Sequence, residues 1–464
     1  MANEINGARE GNLEAPTRHP LGQDDPAFLD QAALEKEMER IFNICHGCRR
    51  CVSLCHAFPT LFDLIDESET MEIDGVDKAD YGKVVEQCYL CDLCYQTKCP
   101  YVPPHPWNVD FPHLMLRAKS FHFEREGTSL GNRFLSSTTA VGRLAARPVA
   151  AETVNALNRN KSARKLLDKT LHVHPDAEVP AYRHPRARKA LRKLDASGDA
   201  TPAGRTRGRV AIFATCYCDS VLPGVVEDLA AVLAHNDIPA KLVSREVCCG
   251  MPKLELGDLA SVTKYKNQNI PVLAQAVRDG FDLTAAIPSC VLMFKQELPL
   301  MFPDDEDVKL VRQAFFDPFE YLAERHAANK LKTDFKQSLG KLAWHVACHQ
   351  RVQKIGPKTR DILSLVPDTE ILTIERCSGH DGTYGVKTDT YLLSRKLARP
   401  VEARIKDSGA TTLTSDCPMA GAHLAHGLNQ QPTQQHPLSL LRKAYGIQPL
   451  SLRESGWGEG AHTH

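Results

Sequence analysis

Two short runs of the sequence hold eight of the chain's sixteen cysteines. The first, CHGCRRCVSLCH, covers residues 45–56, and the second, CYLCDLCYQTKCP, covers residues 88–100. The sequence starts without an apolar leader and contains no uninterrupted apolar run of about 18 residues, so we expect a cytoplasmic chain. In a reducing compartment, cysteines at this density more often bind metal than form disulfides. The two runs therefore predict metal centres that lie close together.

The spacing within the runs favours iron-sulfur clusters of the 4Fe-4S type. Each run begins with three cysteines at Cys-x2-Cys-x2-Cys spacing and adds a fourth after three or four further residues. In two-cluster ferredoxins this fourth cysteine binds the other cluster. We therefore predict two 4Fe-4S clusters, one on Cys45, Cys48, Cys51 and Cys99 and one on Cys88, Cys91, Cys94 and Cys55. The alternative, a pair of structural zinc sites, usually has two Cys-x2-Cys pairs separated by a longer loop.

Hydrophobic periodicity predicts an α+β multidomain fold. An all-helical two-cluster ferredoxin domain is expected over residues 26–118, beginning with a helix that Asp25 caps and Pro26 starts. From residue 208 onward, apolar strands alternate with amphipathic helices, which predicts two repeated α/β domains with parallel sheets. The expected divisions are a polar tail (1–25), the helical domain (26–118), a basic connector (119–207), two α/β domains (208–335 and 336–450) and a second tail (451–464).

The remaining cysteines recur at the same positions in both α/β domains. Cys216 ends the first strand of the first domain, Cys248 and Cys249 follow its second strand, and Cys290 ends its third. In the second domain the equivalent cysteines are Cys348, Cys377 and Cys417. Since the carboxyl ends of parallel strands meet at one edge, we expect these thiols to converge. The adjacent pair needs an irregular turn, which Gly250 permits, and Gly379 is its counterpart. Cys218 alone is interpreted as a small buried hydrophobe.

These motifs resemble the CCG domain of heterodisulfide reductase-related proteins. The resemblance rests on ATCYC, EVCCGMP and IPSCVLM in the first copy and on WHVACH, CSGHDGTYGVK and SDCPM in the second. The order of parts is most similar to that of the iron-sulfur subunits of anaerobic glycerol-3-phosphate dehydrogenase, with those of glycolate and lactate oxidation as cousins. The resemblance implies a third iron-sulfur cluster in the first CCG domain, held by Cys216, Cys248, Cys249 and Cys290.

The sequence departs from the fuller family pattern at three positions. Met293 stands where the first copy would have another cysteine, although Cys218 offers a substitute thiol. In the second copy, Ser378 and Ala420 replace cysteines. Two interpretations of that copy stay open: a cluster on Cys348, Cys377 and Cys417, helped by a ligand such as His349 or His380, and a cluster-free domain kept for packing.

The family implies an electron-transfer subunit of an oxidoreductase complex. Such a subunit relays electrons between a partner flavoprotein dehydrogenase, of the glycerol-3-phosphate or 2-hydroxy acid type, and an acceptor such as quinone at the inner face of the cell membrane. We find no convincing Gly-x-Gly-x-x-Gly fingerprint for a flavin or nicotinamide of its own. The alternatives are a heterodisulfide reductase-like thiol/disulfide reductase and an electron donor to a rubrerythrin-like peroxide reductase.

Charge is unevenly distributed along the chain. The formal net charge is zero, which argues against whole-chain affinity for nucleic acid, yet residues 117–209 hold twenty Lys and Arg against eight Asp and Glu. This excess suits an acidic partner subunit or an anionic membrane surface, or it is balanced by the acidic flanks of the same molecule. The helical pieces lack Trp-rich apolar faces, which favours the solvated connector over a membrane contact.

Overall fold

The computed structural model describes residues 15–380 and 382–448. Between residues 31 and 126 the chain forms four α-helices, which are α1 (Gln31–Cys48), α2 (Ala57–Asp66), α3 (Tyr81–Glu86) and α4 (Phe111–Glu126). Helix α1 buries Leu34, Met38, Ile41 and Phe42, a spacing that places them on one helical face. Helices α2, α3 and α4 pack around this face.

The first helix begins later than its sequence pattern predicts. Asp30 is the N-cap of α1, because its carboxylate accepts the Ala33 N–H at 2.8 Å. Asp25 instead accepts the Ala27 N–H at 2.8 Å and closes a short turn before the helix. Both aspartates are good capping residues, and the one nearer the continuous helical stretch takes the role.

Part of the expected polar tail is packed against the body of the protein. Residues 1–14 lie outside the described residues. Beyond them, the Thr17 N–H donates to the Pro103 carbonyl at 3.0 Å and the Leu21 N–H donates to the Leu300 carbonyl at 2.9 Å. The side chain of Arg18 is only 6% exposed and forms ion pairs with Asp92, Asp110 and Glu297. The structure thus differs from the expectation over residues 15–25, because long-range carboxylates hold this segment.

The basic stretch after α4 is mainly helical over residues 130–171 and mainly irregular over residues 172–207. Its helices are α5 (Leu130–Ser136), α6 (Thr138–Ala145), α7 (Ala150–Arg159), α8 (Lys161–Leu171) and α9 (Ala187–Ala190). Helix α6 packs on the start of the first α/β domain, and Gly142 of α6 lies so close to Ser220 that a Cβ there would stand 2.7 Å from its Oγ. The connector is therefore attached to that domain through α6 and α9.

The first α/β domain contains a four-stranded parallel sheet with the strand order β2-β1-β3-β4. Its strands are β1 (Val210–Ile212), β2 (Ala240–Leu242), β3 (Asp282–Thr284) and β4 (Phe315–Phe316). Its helices are α10 (Cys216–Ser220), α11 (Pro223–His235), α12 (Met251–Leu254), α13 (Leu259–Arg278), α14 (Pro288–Leu292), α15 (Leu298–Met301), α16 (Glu306–Ala314) and α17 (Pro318–Ala327).

The second α/β domain repeats this topology, with a parallel sheet in the order β6-β5-β7-β8. Its strands are β5 (Gly340–His345), β6 (Thr369–Ile374), β7 (Thr412–Ser415) and β8 (Thr433–Gln435). Its helices are α18 (Cys348–Arg351), α19 (Lys358–Leu363), α20 (Thr388–Ser408), α21 (Pro418–Gly427) and α22 (Pro437–Ala444). The predicted parallel sheets and their repetition are confirmed.

The N-terminal helices and the first α/β domain share one interior, whereas the second α/β domain also has a core of its own around Ile374, Ala398 and Leu413. One continuous core joins the N-terminal helices to the first α/β domain and to α22, which packs on α11 of that first domain. Interiors packed in this way resist relative movement. Over the described residues, no helix has the length and apolar character that crossing a membrane requires.

Candidate metal centres

The first cysteine run lies at a sharp reversal of the chain. Cys45 and Cys48 occupy the last turn of α1, which ends because Arg49 takes a left-handed conformation (φ 51°) and donates its N–H to the Cys45 carbonyl at 2.8 Å. Cys51 and Cys55 follow in the turns that lead to α2. The reversal places successive cysteines around one volume and not along one helical face.

The second run is shaped by two residues with positive φ. Leu90 (φ 53°) and Asp92 (φ 60°) bend the loop that carries Cys88 and Cys91. A single five-residue π-helical turn then spans Cys94–Lys98 and returns the Cys99 N–H to the Cys94 carbonyl at 2.8 Å. Asp92 is 3% exposed and its carboxylate pairs with Arg18. Side chains from distant parts of the sequence therefore fix the position of this loop.

The thiols of the two runs meet in two groups. The pKa of Cys45 lies well above its usual value because the sulfur is removed from water and because Cys99, Cys51 and Cys48 are close to it. The same causes raise the pKa of Cys94, whose neighbouring thiols are Cys51, Cys88 and Cys55. Each run thus has the fourth cysteine of the other run among its neighbours. Both groups offer only thiols, the donors that iron-sulfur clusters use, so the residues fit the predicted clusters.

Four thiols of the first α/β domain form a chain of hydrogen bonds at the carboxyl edge of its sheet. The thiol of Cys248 bonds to those of Cys216 and Cys249, and Cys249 bonds in turn to Cys290. These bonds, together with an N–H···S contact of 3.5 Å from Gly250, lower the pKa of Cys248 well below its usual value. The expected convergence of strand-end thiols is present, and this compact all-sulfur group also fits an iron-sulfur cluster.

Gly250 is required by this turn. Its φ of 108° suits glycine alone, and a Cβ would lie 3.3 Å from the Cε of Met293. Met293 is fully buried, so a thioether methyl packs against the turn at the position where the family has a further cysteine. Cys218 is fully buried as well. Burial raises its pKa to about 12, and both Cys290 and Cys417 of the second domain are close to it.

The second α/β domain repeats the turn with fewer thiols. The Gly379 N–H points at the Cys377 sulfur at 3.3 Å, as the Gly250 N–H does at Cys248. Gly379 has a φ of 76°, and a Cβ there would stand 2.2 Å from the Ser394 carbonyl oxygen. Cys348 begins α18 and Cys417 caps α21. Burial lowers the pKa of the neighbouring His380 to about 4, so its imidazole is neutral and able to act as a ligand.

The cysteine-bearing edges of the two α/β domains face each other. Helix α14, which carries Cys290, packs on α18, which begins at Cys348, and the Nδ1 of His349 lies 2.7 Å from the Oγ of Ser289. The second cysteine run joins the same region through Gln87, whose Oε1 accepts the Tyr384 hydroxyl at 2.8 Å. The second cysteine run therefore lies against the second α/β domain, whose cysteine-bearing helix α18 contacts that of the first domain.

Two threonines from the basic connector also contact the thiol group of the first α/β domain, and no sequence signal pointed to them. The Oγ1 of Thr139 accepts the Cys248 N–H at 2.9 Å, and the Thr138 hydroxyl lies beside the sulfurs of Cys216 and Cys248. Hydrogen-bond donors and acceptors next to a cluster's sulfurs affect its reduction potential.

Within the described residues, no group of three or more His, Cys, Asp or Glu side chains surrounds a position for a single metal ion.

A comparison with protein families identifies the two α/β domains. The model of the CCG cysteine-rich domain matches residues 210–295 and again residues 342–425. The chain contains two CCG domains. Both matches run from the first strand of a sheet to the region of its last cysteine, so the repeated thiol-bearing edge is the feature that the CCG domains share.

Relatives with known names support the resemblance. Over 345 residues the chain is 26% identical to a subunit of anaerobic glycerol-3-phosphate dehydrogenase from Escherichia coli, covering 73% of this chain and 83% of the relative. It is 24% identical to lactate utilization protein A of Oceanobacillus iheyensis (44% and 83% covered). It is 26% identical to an iron-sulfur protein of Methanocaldococcus jannaschii (56% and 50% covered). The chain is homologous to these proteins, which confirms the resemblance.

Proposed function

We propose that this chain is an iron-sulfur electron-transfer subunit that relays electrons between a partner flavoprotein dehydrogenase and an acceptor such as quinone. The substrate of that partner would be glycerol 3-phosphate or a 2-hydroxy acid. Two named relatives support this, since one is a subunit of anaerobic glycerol-3-phosphate dehydrogenase and another a lactate utilization protein.

The convergence of the cysteine groups carries the proposal. Cys51 neighbours both Cys45 and Cys94, so the two groups of the helical domain adjoin. The second run contacts the second CCG domain through Tyr89, whose ring centroid is 4.3 Å from that of Tyr384. A relay needs its carriers close together and rigidly held, and the core that joins the N-terminal helices to the first CCG domain supports a rigid arrangement of these two parts.

The proposed ligands belong to four groups of cysteines, two within residues 45–99 and one in each CCG domain. One 4Fe-4S cluster is assigned to Cys45, Cys48, Cys51 and Cys99, another to Cys88, Cys91, Cys94 and Cys55, and a third cluster to Cys216, Cys248, Cys249 and Cys290. Each bound cluster would supply a one-electron carrier. The second CCG domain has three thiols, and the buried Nε2 of His380 has no hydrogen-bond partner among the described residues, which supports His380 as an additional ligand there.

The metal content of the anaerobically purified chain tests this assignment. Iron, sulfide and zinc are measured per chain, with EPR of the reduced sample. About twelve irons support three clusters, and about sixteen add one in the second CCG domain. About eight would confine electron transfer to residues 45–99, and zinc with little sulfide would overturn the proposal. Turnover of a disulfide substrate by the isolated chain would favour the thiol/disulfide reductase instead.

The connector offers a surface suited to an anionic membrane. Six of the ten exposed large hydrophobic residues of the described chain lie between the first residue of α5 and the last residue of α8, and we call these six side chains the connector face: Leu130, Phe134, Leu144, Val149, Leu157 and Leu166. Between residues 130 and 171 the sequence has eight Lys and Arg but two Asp and Glu. Apolar side chains among basic ones favour peripheral binding to anionic lipid. We propose that the connector face docks there, where quinone is dissolved.

Co-sedimentation with vesicles tests the membrane contact. The full chain is mixed with vesicles of phosphatidylcholine alone or with phosphatidylglycerol, and it should sediment only with the anionic ones. Leu157→Ser together with Leu166→Ser should abolish this. Leu392→Ser is the matched control, since Leu392 is 72% exposed but lies on α20, outside the connector face. A wild-type chain that stays in the supernatant would refute the membrane contact and leave a partner subunit as the occupant.

A further inference from the structure

We propose that a pocket between the basic connector and the first CCG domain binds a small anion carrying a phosphate or carboxylate group. The pocket has a volume of about 190 Å³ and opens to solvent. Typical sites for drug-sized ligands measure about 300–1,000 Å³, so this one suits a smaller molecule. Four arginines line it, and Cys216 lies in its wall.

Two ion pairs build the frame of the pocket. Arg186 lies 3.0 Å from Asp219, and Arg188 lies 3.0 Å from Glu246. Each carboxylate also accepts a backbone N–H: Arg188 donates to Asp219 at 3.0 Å and Ala214 donates to Glu246 at 2.9 Å. These carboxylates engage Arg186 and Arg188, and the two pairs hold the connector against the sheet edge.

Two further arginines are left without a carboxylate. Arg143 donates to the Glu246 carbonyl at 3.3 Å, and within the described part of the chain neither it nor Arg245 forms an ion pair. Arg245 has a left-handed backbone (φ 54°) that a non-glycine residue rarely adopts, and both arginines are exposed. Two uncompensated guanidinium groups beside one small pocket are suited to a phosphate or carboxylate, which they can bind with paired N–H donors.

The position of the pocket gives the bound anion a role. Cys216 and Thr139 both line it, and Thr139 accepts the Cys248 N–H, so an anion there adjoins the thiol group of the first CCG domain. A negative charge next to these thiols disfavours the addition of an electron to a cluster that they hold. It therefore lowers the reduction potential of that cluster. This second step rests on the proposed third cluster, whereas anion binding itself does not.

Binding is measured by calorimetry on the full chain, purified anaerobically, at constant ionic strength. The probes are inorganic phosphate, glycerol 3-phosphate and L-lactate. The expected result is saturable binding of one anion per chain, weakened about tenfold by Arg143→Gln and by Arg245→Gln, the loss typical of one charge-assisted hydrogen bond. Arg192→Gln is the matched control, because Arg192 is an exposed connector arginine outside the pocket. Unchanged melting temperatures of the variants ensure that folding is preserved.

The outcomes separate the anion site from the third cluster. Tighter binding of phosphate and glycerol 3-phosphate than of lactate identifies a phosphate site, and the reverse identifies a carboxylate site. No saturable binding of any probe, or an equal loss in the Arg192→Gln variant, overturns the site. Saturable binding to a chain with about eight irons upholds the site and refutes the third cluster. If the third cluster is present, an EPR-monitored potential that phosphate leaves unchanged overturns the proposed effect on the cluster.

Discussion

The Nδ1 of His349 lies 2.7 Å from the Oγ of Ser289, which joins the cysteine-bearing helix of one CCG domain to that of the other. His349 is 6% exposed, and burial lowers its pKa, so the imidazole is neutral and this contact is a hydrogen bond between uncharged groups. A hydrogen bond between buried groups fixes the relative position of the two helices. The two CCG edges therefore meet in one defined arrangement.

Crossed ligation of the first two clusters can be tested with pairs of cysteine variants. Cys99→Ser should remove about four irons per chain. Adding Cys45→Ser should remove no more, because both thiols are assigned to one cluster. Adding Cys94→Ser instead should remove about eight irons in total. Iron and sulfide analysis with EPR measures this. The opposite pattern would mean that each run binds its own cluster.

The buried ion pairs of Arg18 should matter more than any exposed pair. Arg18→Met leaves the carboxylates of Asp92 and Asp110 without their cation and is expected to cost about 3–5 kcal/mol of unfolding free energy. The control is Arg278→Ala, which removes a half-exposed ion pair with Asp307 and should cost less than about 1 kcal/mol. Urea denaturation followed by tyrosine fluorescence, at matched iron content, compares them. Equal losses would contradict a structural role for the N-terminal segment.

Gly250→Ala should disrupt the thiol group of the first CCG domain. Alanine disfavours the φ of 108°, and its Cβ would press on the Met293 methyl at 3.3 Å. We expect the loss of about four irons per chain while the two clusters of residues 45–99 stay. Gly224→Ala is the control, since Gly224 lies on α11 with open space around its Cα. An unchanged iron content in the Gly250→Ala variant would remove this turn from the ligand set.

The stability of the first CCG domain should depend on the protonation of Asp282. Its carboxyl is 1% exposed in β3, and burial raises its pKa from 3.8 to about 6. The pKa of Asp282 is higher in the folded protein than in the unfolded chain. Its contribution to the free energy of unfolding is therefore fully present below about pH 4 and is lost as the pH rises to about 6. The free energy of unfolding falls by about 3 kcal/mol over this range, because a pKa shift of one unit corresponds to about 1.4 kcal/mol.

Asp282→Asn removes this dependence on pH. The stability of the Asn variant relative to the wild type should rise between about pH 4 and pH 6 and level off above that range. Melting temperatures across the range measure it. Asp279→Asn, on an exposed residue at the end of α13, serves as the control. A constant difference between the wild type and Asp282→Asn would contradict the raised pKa.

The sequence alone was sufficient to predict the cysteine motifs of the two CCG domains and the alternation of strands and helices that forms their parallel sheets. Thiols at fixed spacing and apolar runs of different period are local features, so they are visible in a short stretch of sequence. Two edge strands were missed for the opposite reason. Strand β4 is two phenylalanines long and β8 reads Thr-Gln-Gln, and each is a strand only because it pairs with its neighbour in the sheet.

Contacts between distant segments were equally hidden. Arg18, Thr138 and Thr139 are ordinary polar residues in stretches without strong periodicity, and their partners lie at least 74 positions away. Nothing in their surroundings along the chain distinguishes them from solvated residues. Their roles depend on tertiary packing, which local patterns do not encode.

The segment around Leu21 also constrains the order in which the protein can be completed during synthesis. Leu21 is made about 280 residues before the Leu300 carbonyl to which its N–H bonds. At about 5–20 residues per second, the ribosome needs roughly 15–60 s to reach it. Until then the N-terminal segment lacks this anchor, and the side of the Asp92 loop that it covers in the finished protein can remain accessible from outside.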